Sequence, residues 1–184
     1  MRVSVTLLQY DHGLIRQVID VLGEASKQRM VEKHLEEMKE IVGFMDKFMD
    51  GFHHKKEEKF VFPAALRSGS LSKADYDDLI SDHREARKLI ASMREALKSK
   101  DYASFSIDGK KMADHMLAHI REEENDIFPK IEEGLSPEED MAINKQFEDF
   151  LEENFSEDLY PATETFANWV QDNVLGPGYF EYLR

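Results

Sequence analysis

Histidine and glutamate residues recur along this sequence at spacings that suit metal coordination. In two places a histidine stands four residues before a glutamate, His53 before Glu57 and His119 before Glu123. Residues four apart lie on the same face of an α-helix, so each pair can point at one position in a helical core. Imidazole nitrogen and carboxylate oxygen together suit iron, manganese or zinc, and a carboxylate can bridge two ions. The two pairs are therefore candidate parts of a metal site.

Both pairs belong to an internal duplication of the chain. The pattern Asp-His-x3-Arg-x2-Ile occurs at residues 11–19 and again at 82–90, and the pattern His-x3-Glu-Glu-x3-Phe-Pro occurs at 53–63 and again at 119–129. Because the order is the same in both halves, we expect two helical hairpins related by a pseudo-twofold axis. Each half then supplies two histidines and one glutamate. The candidate metal ligands are His12, His53, Glu57, His83, His119 and Glu123.

The number of these ligands limits what the site could do. Six protein ligands are too many for one tetrahedral zinc ion and too few to fill two octahedral ions, which leaves exchangeable positions for water, oxide, dioxygen or another small ligand. A purely structural bundle would have to bury unpaired carboxylates, which is costly without a cation. The set therefore predicts a pair of metal ions.

The other histidines lack this duplicated pattern. His54 stands where the second half has Ile120, and His34 lies beside a run of Glu and Lys, so we interpret His34 as solvated. His115 lies one turn before His119 on the same face and could be an extra ligand, a group behind the ligands or a pocket wall.

The residues next to the candidate ligands have simpler interpretations. Asp11 and Asp82 could orient histidines, but we prefer a capping or solvated role because adjacent residues on a helix face different ways. Glu58 and Glu124 are interpreted as outward salt-bridge partners. In each Phe-Pro pair we expect the phenylalanine to pack in the core and the proline to bend or end its helix.

Composition and charge exclude several classes of function. The chain has 184 residues and no cysteine, so disulfides, thiolate metal sites and cysteine-ligated clusters are ruled out. A formal net charge of −14 opposes binding to nucleic acid or to an anionic membrane surface. No apolar stretch approaches the roughly 20 residues of a membrane helix, and the first residues are too interrupted for a signal peptide. We therefore expect a cytoplasmic protein.

Apolar residues recur at helical spacing and strand-like alternation is missing, which predicts an all-α chain. Turn residues divide it into long helices over about 5–27, 31–66, 72–100 and 101–133. Short connections favour antiparallel neighbours, so we expect an up-down-up-down four-helix bundle over residues 1–134.

Residues 135–184 form a predicted C-terminal helical extension, packed on the bundle or on a dimer partner. Ser136, Pro137 and Glu139 indicate the start of a fifth helix that ends near residue 155, and a sixth covers about 162–174. The tail that follows is rich in apolar and aromatic residues, and we expect it to pack on its own bundle, with a homodimer as the alternative. These residues are Tyr179, Phe180, Tyr182 and Leu183.

Taken together, the segments 53–63 and 119–129 and the two Asp-His helices resemble the hemerythrin-like family of HHE cation-binding domains. The resemblance covers about residues 5–133. It implies a hemerythrin-like four-helix bundle around a non-heme di-iron centre (Fe²⁺/Fe³⁺) that is bridged by Glu57, Glu123 and an oxo or hydroxo group. Manganese or zinc are the alternative metals.

The chain departs from the oxygen-carrying hemerythrins of animals, which have a second histidine on the third helix where this chain has Arg87. Its histidine and glutamate set is more similar to the microbial branch. The resemblance therefore implies binding or sensing of dioxygen or nitric oxide, with a di-iron enzyme acting on peroxide or dioxygen as the alternative. Iron-centre repair or iron delivery is a third hypothesis, and the sequence does not decide whether the protein is an enzyme.

Overall fold

The computed structural model describes residues 2–179, which form six helices and no strand. Connections of two to four residues separate the consecutive helices, as the spacing of the turn residues predicts. In chain order the helices are α1 (Val3–Lys27), α2 (residues 31–68), α3 (Lys73–Ser99), α4 (residues 102–134), α5 (Pro137–Asn154) and α6 (Leu159–Val174).

Two of the long helices are not uniformly α-helical. In α2 the segments Met45–His54 and Glu57–Val61 are π-helical, and in α4 the segment Glu123–Ile127 is π-helical. A π-turn closes with a hydrogen bond to the residue five positions back, so it holds more residues per turn than an α-helix does. All of these wide turns lie beside the candidate metal ligands.

Local capping chemistry fixes several of the helix ends. The Ser72 hydroxyl accepts the backbone N–H of Asp75 at 3.0 Å, and Ser136 forms a reciprocal capping box with Glu139. Gly69 ends α2 in the left-handed region at φ 77°. The sixth helix begins at Leu159, three residues earlier than predicted, because Pro161 is tolerated in a first turn that needs no internal N–H donor.

Helices α1 and α4 approach each other closely along the bundle. At Gly109 a β-carbon would lie 2.4 Å from Ser26 Oγ and 3.1 Å from Leu22 Cδ1, and at Gly23 it would lie 2.9 Å from Ala113 Cβ. Interiors are packed to crystal density, so these glycines set the distance between the two helices that carry His12 and Glu123.

The C-terminal helices pack on the bundle and complete α1. Helix α1 has no capping side chain of its own, and the Asp140 carboxylate of α5 accepts the backbone N–H groups of Val3 at 2.8 Å and Ser4 at 3.0 Å. Phe150 of α5 and Val170 of α6 belong to the same apolar core as the bundle helices. The division of the chain at residue 134 into bundle and extension stays a prediction.

In the aromatic tail, Tyr179 is described and accepts a hydrogen bond from Gln28 Nε2 at 3.2 Å. The predicted packing of Phe180, Tyr182 and Leu183 lies outside the described residues. Within residues 2–179 no helix is long and apolar enough to cross a membrane. Cytoplasmic residence and a homodimer stay predictions.

Gly109→Ala should destabilise the protein by about 1–3 kcal/mol, because the added methyl group has to push α1 and α4 apart. The matched control is Gly43→Ala, since a β-carbon at Gly43 meets nothing within 4 Å. There we expect a gain of about 0.5–1 kcal/mol from the lower backbone entropy of the unfolded chain. Urea unfolding measures both, and equal effects of the two substitutions would contradict the close approach at Gly109.

Candidate metal centre

The structure brings the predicted ligand side chains together in the middle of the bundle, where each is almost completely buried. They form two groups whose nitrogen and oxygen atoms lie within 4.8 Å of one another, and both groups contain Glu57 and Glu123. The first group is His12, His53, Glu57 and Glu123, and the second is Glu57, His83, His119 and Glu123. The two glutamates thus stand between two clusters that could each hold a metal ion.

In the first cluster, His12 Nε2 lies 3.2 Å from Glu123 Oε2 and His53 Nε2 lies 3.5 Å from Glu57 Oε1. In the second, His83 Nε2 lies 3.4 Å from Glu57 Oε2, and the Nε2 atoms of His83 and His119 are 3.2 Å apart. Each glutamate therefore faces imidazoles from both halves of the duplicated sequence.

The Phe-Pro pairs shape the helices just after the two glutamates. Proline cannot donate a backbone N–H, and each helix widens into a π-turn directly before it, with the Phe62 N–H bonded to the Glu57 carbonyl and the Phe128 N–H to the Glu123 carbonyl. Both helices then continue, to Ser68 and Gly134. Neither proline therefore ends its helix, and the predicted bend stays a prediction.

The phenylalanines of these pairs cover two of the candidate ligand histidines. Phe128 stacks on the His12 ring at a centroid distance of 5.3 Å, and Phe62 stacks on the His83 ring at 6.0 Å. Both phenylalanines are buried, as predicted. They add apolar walls to the site, which limits access of water to the histidines.

Every one of these histidines contacts a carboxylate through its other ring nitrogen. The Nδ1 atoms lie 3.0–3.2 Å from carboxylate oxygens, in the pairs His12 with Glu124, His83 with Glu58, His53 with Asp11 and His119 with Asp82. In the tautomer that carries its proton on Nδ1, this N–H donates a hydrogen bond to the carboxylate. Nε2 then has a lone pair that faces the cluster.

This contact pattern corrects two interpretations made from the sequence. Asp11 and Asp82 orient histidines instead of capping or solvating, and each reaches a histidine on a different helix from its own. Glu58 and Glu124 do pair with arginines, but they also contact His83 and His12. The sequence did not indicate these partners, because each of the four contacts joins residues of two different helices.

Arginines hold the two glutamates behind the histidines in their ionised form. Arg16 donates to Glu124 at 2.5 Å and Arg87 donates to Glu58 at 2.6 Å. Burial opposes ionisation of Glu58, but hydrogen bonds from His83, Lys55 and Arg87 outweigh it and lower the Glu58 pKa. An ionised carboxylate strengthens the hydrogen bond from each imidazole and makes Nε2 a better metal ligand.

Asp11 has different partners from the other three carboxylates behind the histidines, and one of these partners lies on the C-terminal helix α6. The buried Lys56 ammonium lies 2.6 Å from Asp11 Oδ2, and the Tyr160 hydroxyl of α6 donates to Asp11 Oδ1 at 2.9 Å. Burial raises the Asp11 pKa, and the charge and hydrogen bond of Lys56 oppose that rise. The sequence analysis missed both partners, because no spacing rule connects Tyr160 with a residue 149 positions earlier.

The electrostatics at the centre call for a cation. No donor group among residues 2–179 gives a hydrogen bond to any carboxylate oxygen of Glu57 or Glu123, although all of these oxygens are buried. Burial raises the pKa of Glu57, and burial together with the charge of Glu57 raises that of Glu123. A metal ion would compensate these charges directly, so the donor set fits the group that the ligand pattern implies.

The protonation state of the histidines also suits metal binding. Burial lowers the pKa of His12, His53, His54 and His83. Their imidazoles are therefore neutral near pH 7, which is the form that binds a metal ion.

The three remaining histidines lie in different surroundings. His115 Nε2 lies 3.0 Å from the backbone carbonyl of Asp82, so this nitrogen is turned away from the ligand cluster. His34 is buried, with 8% of its surface exposed, which shows that the predicted solvated role is wrong. It lies in the first turn of α2, where Val31 is also buried, and its Nδ1 lies 3.9 Å from Glu37 Oε2.

His54 is the site residue that the sequence analysis passed over. It is fully buried, and its ring nitrogens form a further ligand group with His83 and His119. Spacing had favoured His53 alone, but the π-helical turn Met45–His54 reduces the angle between neighbouring side chains. The signal available in the sequence was Asp50, four residues earlier on the same helix face.

A family model described as the Hemerythrin HHE cation binding domain matches residues 3–131. The chain belongs to this family. Its all-helical fold agrees with a hemerythrin-like bundle, and membership implies binding of a metal ion, for which the buried histidine and glutamate groups are suited. Searches of curated proteins and of solved structures gave no match. Helices α5 and α6, including Tyr160, lie beyond the matched residues.

Glu57→Gln should stabilise the metal-free protein at pH 7 by about 1–3 kcal/mol, because it removes a buried charge that lacks a donor. The folded pKa of Glu57 is raised, so wild-type stability falls as pH rises above the ordinary value of 4.5. The advantage of the variant should therefore vanish below that pH. Thermal unfolding of chelator-treated protein measures this difference in stability at each pH. Added Fe²⁺ should raise the melting temperature of wild type but not of the variant.

The matched control for this substitution is Glu122→Gln, which neutralises an exposed glutamate directly before the candidate ligand Glu123. It should leave both the metal-free stability and the response to Fe²⁺ close to wild type. Equal metal-free stability of wild type and Glu57→Gln at pH 7 would show that the buried carboxylate carries no such cost.

Proposed function

We propose that this protein holds two iron ions between His12, His53, Glu57, His83, His119 and Glu123, and that it binds or senses dioxygen or nitric oxide at this carboxylate-bridged di-iron centre. The observation that supports the proposal most directly is the pair of overlapping ligand groups, which share Glu57 and Glu123. A bridging role for the two glutamates follows from their position between the groups.

The number and type of ligand atoms suit iron. Neutral imidazole with carboxylate is a donor set that iron accepts readily, and manganese or zinc remain the alternative metals. Each group supplies four protein residues, which leaves positions for an oxo or hydroxo bridge and for a small exogenous ligand. When bound, a diferrous pair supplies the electrons that reversible uptake of dioxygen or nitric oxide requires.

The protein's own residues define which ligands can enter. The six proposed ligands are at most 2% exposed, and Phe62 and Phe128 cover two of them. A site so enclosed favours diatomic molecules and excludes larger substrates. The carboxylates behind the histidines keep each Nε2 directed inward, so the chain maintains the site geometry while a small ligand exchanges.

A di-iron enzyme that acts on peroxide or dioxygen is the second candidate, and one observation favours it. The Tyr160 hydroxyl, the Asp11 carboxylate and the His53 imidazole form a hydrogen-bonded chain that leads from α6 to a proposed ligand. Burial raises the pKa of Tyr160, and the charge of Asp11 adds to that rise, so its proton stays on the phenol. Such a chain can hold a proton beside the site. Nothing observed in residues 2–179 favours iron repair or delivery.

We also infer that α1 to α4 run up-down-up-down. This topology is supported by the short connections at residues 28–30, 69–72 and 100–101 and by the paired contacts that cross from α1 to α2 and α4 and from α3 to α2 and α4. Connections of this length favour antiparallel neighbours.

The decisive experiment is elemental analysis of anaerobically purified protein, followed by absorption spectra before and after exposure to nitric oxide, dioxygen and peroxide. We expect about two irons per chain and a ligand-to-iron charge-transfer band that appears with dioxygen and disappears on its removal. Catalytic consumption of peroxide would favour the enzyme. One zinc ion or no metal would contradict the di-iron centre.

The double substitution His53→Ala with His119→Ala should abolish binding of two metal ions, because it removes one imidazole from each group. His34→Ala, at the start of α2, should retain both ions and serves as the control for loss of a buried histidine. Metal content per chain is the measurement, and full retention in the double variant would show that these histidines are not ligands.

Tyr160→Phe separates the two candidate functions. In a binding or sensing protein it should leave iron content and reversible ligand uptake near wild type. In an enzyme it should slow peroxide turnover by about 100-fold, because Asp11 loses the hydrogen bond that positions the chain beside the site. Tyr10→Phe is the matched control, since Tyr10 packs against Tyr160 but bonds to Glu164 instead of Asp11. A turnover that Tyr160→Phe leaves unchanged would exclude the hydrogen-bonded chain from catalysis.

A further inference from the structure

A cleft between α2, α3 and α5 concentrates positive charge in an otherwise acidic chain. Its volume is about 760 Å³, which lies within the range of small-molecule sites. The charged side chains that line it are four cations, Lys55, Lys59, Arg84 and Arg87, and one carboxylate, Glu58. The chain as a whole carries a formal net charge of −14, so the cleft differs in sign from the rest of the molecule. A cleft lined by one sign of charge attracts ligands of the opposite sign.

The four cations differ in whether a carboxylate already neutralises them. Arg87 and Lys55 both pair with Glu58, at 2.6 and 2.8 Å. Lys59 and Arg84 form no ion pair within the part of the chain that the structure describes, and both side chains are exposed. Two cations without a carboxylate partner therefore line the cleft, one from α2 and one from α3.

Aromatic side chains form another part of the same cleft. Tyr76 of α3 and Phe155, directly after α5, are half-buried, so part of each ring is accessible. The Lys59 Nζ atom lies 4.7 Å from the centre of the Phe150 ring, which places positive charge beside the aromatic wall. Flat rings stack on accessible aromatic side chains, and lysine and arginine bind phosphate. The cleft is thus suited to a ligand that joins a flat ring to an anion.

The two free cations indicate the charge of that anion. A phosphate monoester carries about −1.5 to −2 at pH 7, which matches Lys59 and Arg84 together, whereas a single carboxylate would neutralise only one of them. The volume of the cleft leaves room for a sugar and a base in addition to the phosphate.

We propose that this cleft binds a nucleoside monophosphate, with its phosphate held by Lys59 and Arg84 and its base stacked against Tyr76 or Phe155. The site contains none of the proposed metal ligands. It borders the metal centre, because Glu58 lines the cleft and contacts His83 Nδ1 at 3.0 Å. Binding of the nucleotide requires no metal ion, so this inference is independent of the proposed di-iron centre.

The test is calorimetric titration of the full chain, freed of metal by chelation, with adenosine monophosphate, adenosine and inorganic phosphate. We expect adenosine monophosphate to bind at least about 10-fold more tightly than either fragment, because each fragment uses only one half of the site. Added salt should weaken the binding, since it screens exposed cations. Adenosine monophosphate that binds no better than inorganic phosphate would overturn the proposal.

Two double variants separate the site from the general charge of the surface. Lys59→Gln with Arg84→Gln should weaken binding of adenosine monophosphate by about 100-fold, because two charged donors to the phosphate are lost. Lys88→Gln with Lys98→Gln removes the same charge from exposed positions of α3 outside the cleft, and binding should stay near wild type. All four substitutions are at exposed positions, so both variants should fold. Equal losses of affinity would overturn the site.

Two further results would contradict the proposed ligand. Phosphotyrosine that binds more tightly than adenosine monophosphate would replace the nucleotide with a phosphorylated peptide. Wild-type protein that shows no heat of binding with adenosine monophosphate at millimolar concentration would exclude a nucleotide site. Every titration uses metal-free protein, so failure of the nucleotide site leaves the di-iron centre standing, and failure of the di-iron centre appears only in the metal analysis.

Discussion

The burial of Glu57 and Glu123 at the centre of the bundle is the constraint on which the rest of the structure depends. Their oxygens receive no hydrogen bond from the described residues, and burial raises the pKa of both. Two such carboxylates are unfavourable side by side unless a cation lies between them and the imidazoles. The fold therefore accepts a cost in its metal-free form, and the ligand groups around the glutamates are the means by which metal binding can recover it.

The groups behind the histidines follow the duplicated sequence only in part. The contacts of His12 with Glu124 and of His83 with Glu58 are equivalent in the two halves, and each carboxylate is held by an arginine. The symmetry breaks at Asp11, which alone is neutralised by a buried lysine and by Tyr160, and at His54, which has no counterpart. The two candidate ligand groups therefore have chemically different surroundings, although the sequence that supplies them is duplicated.

The C-terminal helices link this asymmetry to the part of the chain beyond the family match. Helix α6 supplies Tyr160 to the carboxylate behind His53, and α5 supplies Asp140 to the start of α1, the helix that carries His12. Both contacts involve helices or carboxylates that position members of the first candidate ligand group, His12 and His53. Changes in α5 or α6 can therefore reach the site through these hydrogen bonds as well as through the shared apolar core.

The sequence by itself determined the local features: six helices close to their observed bounds, the caps at Ser72 and Ser136, and a candidate ligand set read from an internal repeat. Helix periodicity and capping depend on residues a few positions apart, so a sequence displays them directly. Whether those side chains bind metal stays a prediction, although the structure brings them together. Only the tertiary structure decided which carboxylate stands behind which histidine, how Tyr160 reaches Asp11, and that His54 faces inward. Those contacts join residues far apart in sequence or depend on wide π-turns, and no local spacing rule specifies either.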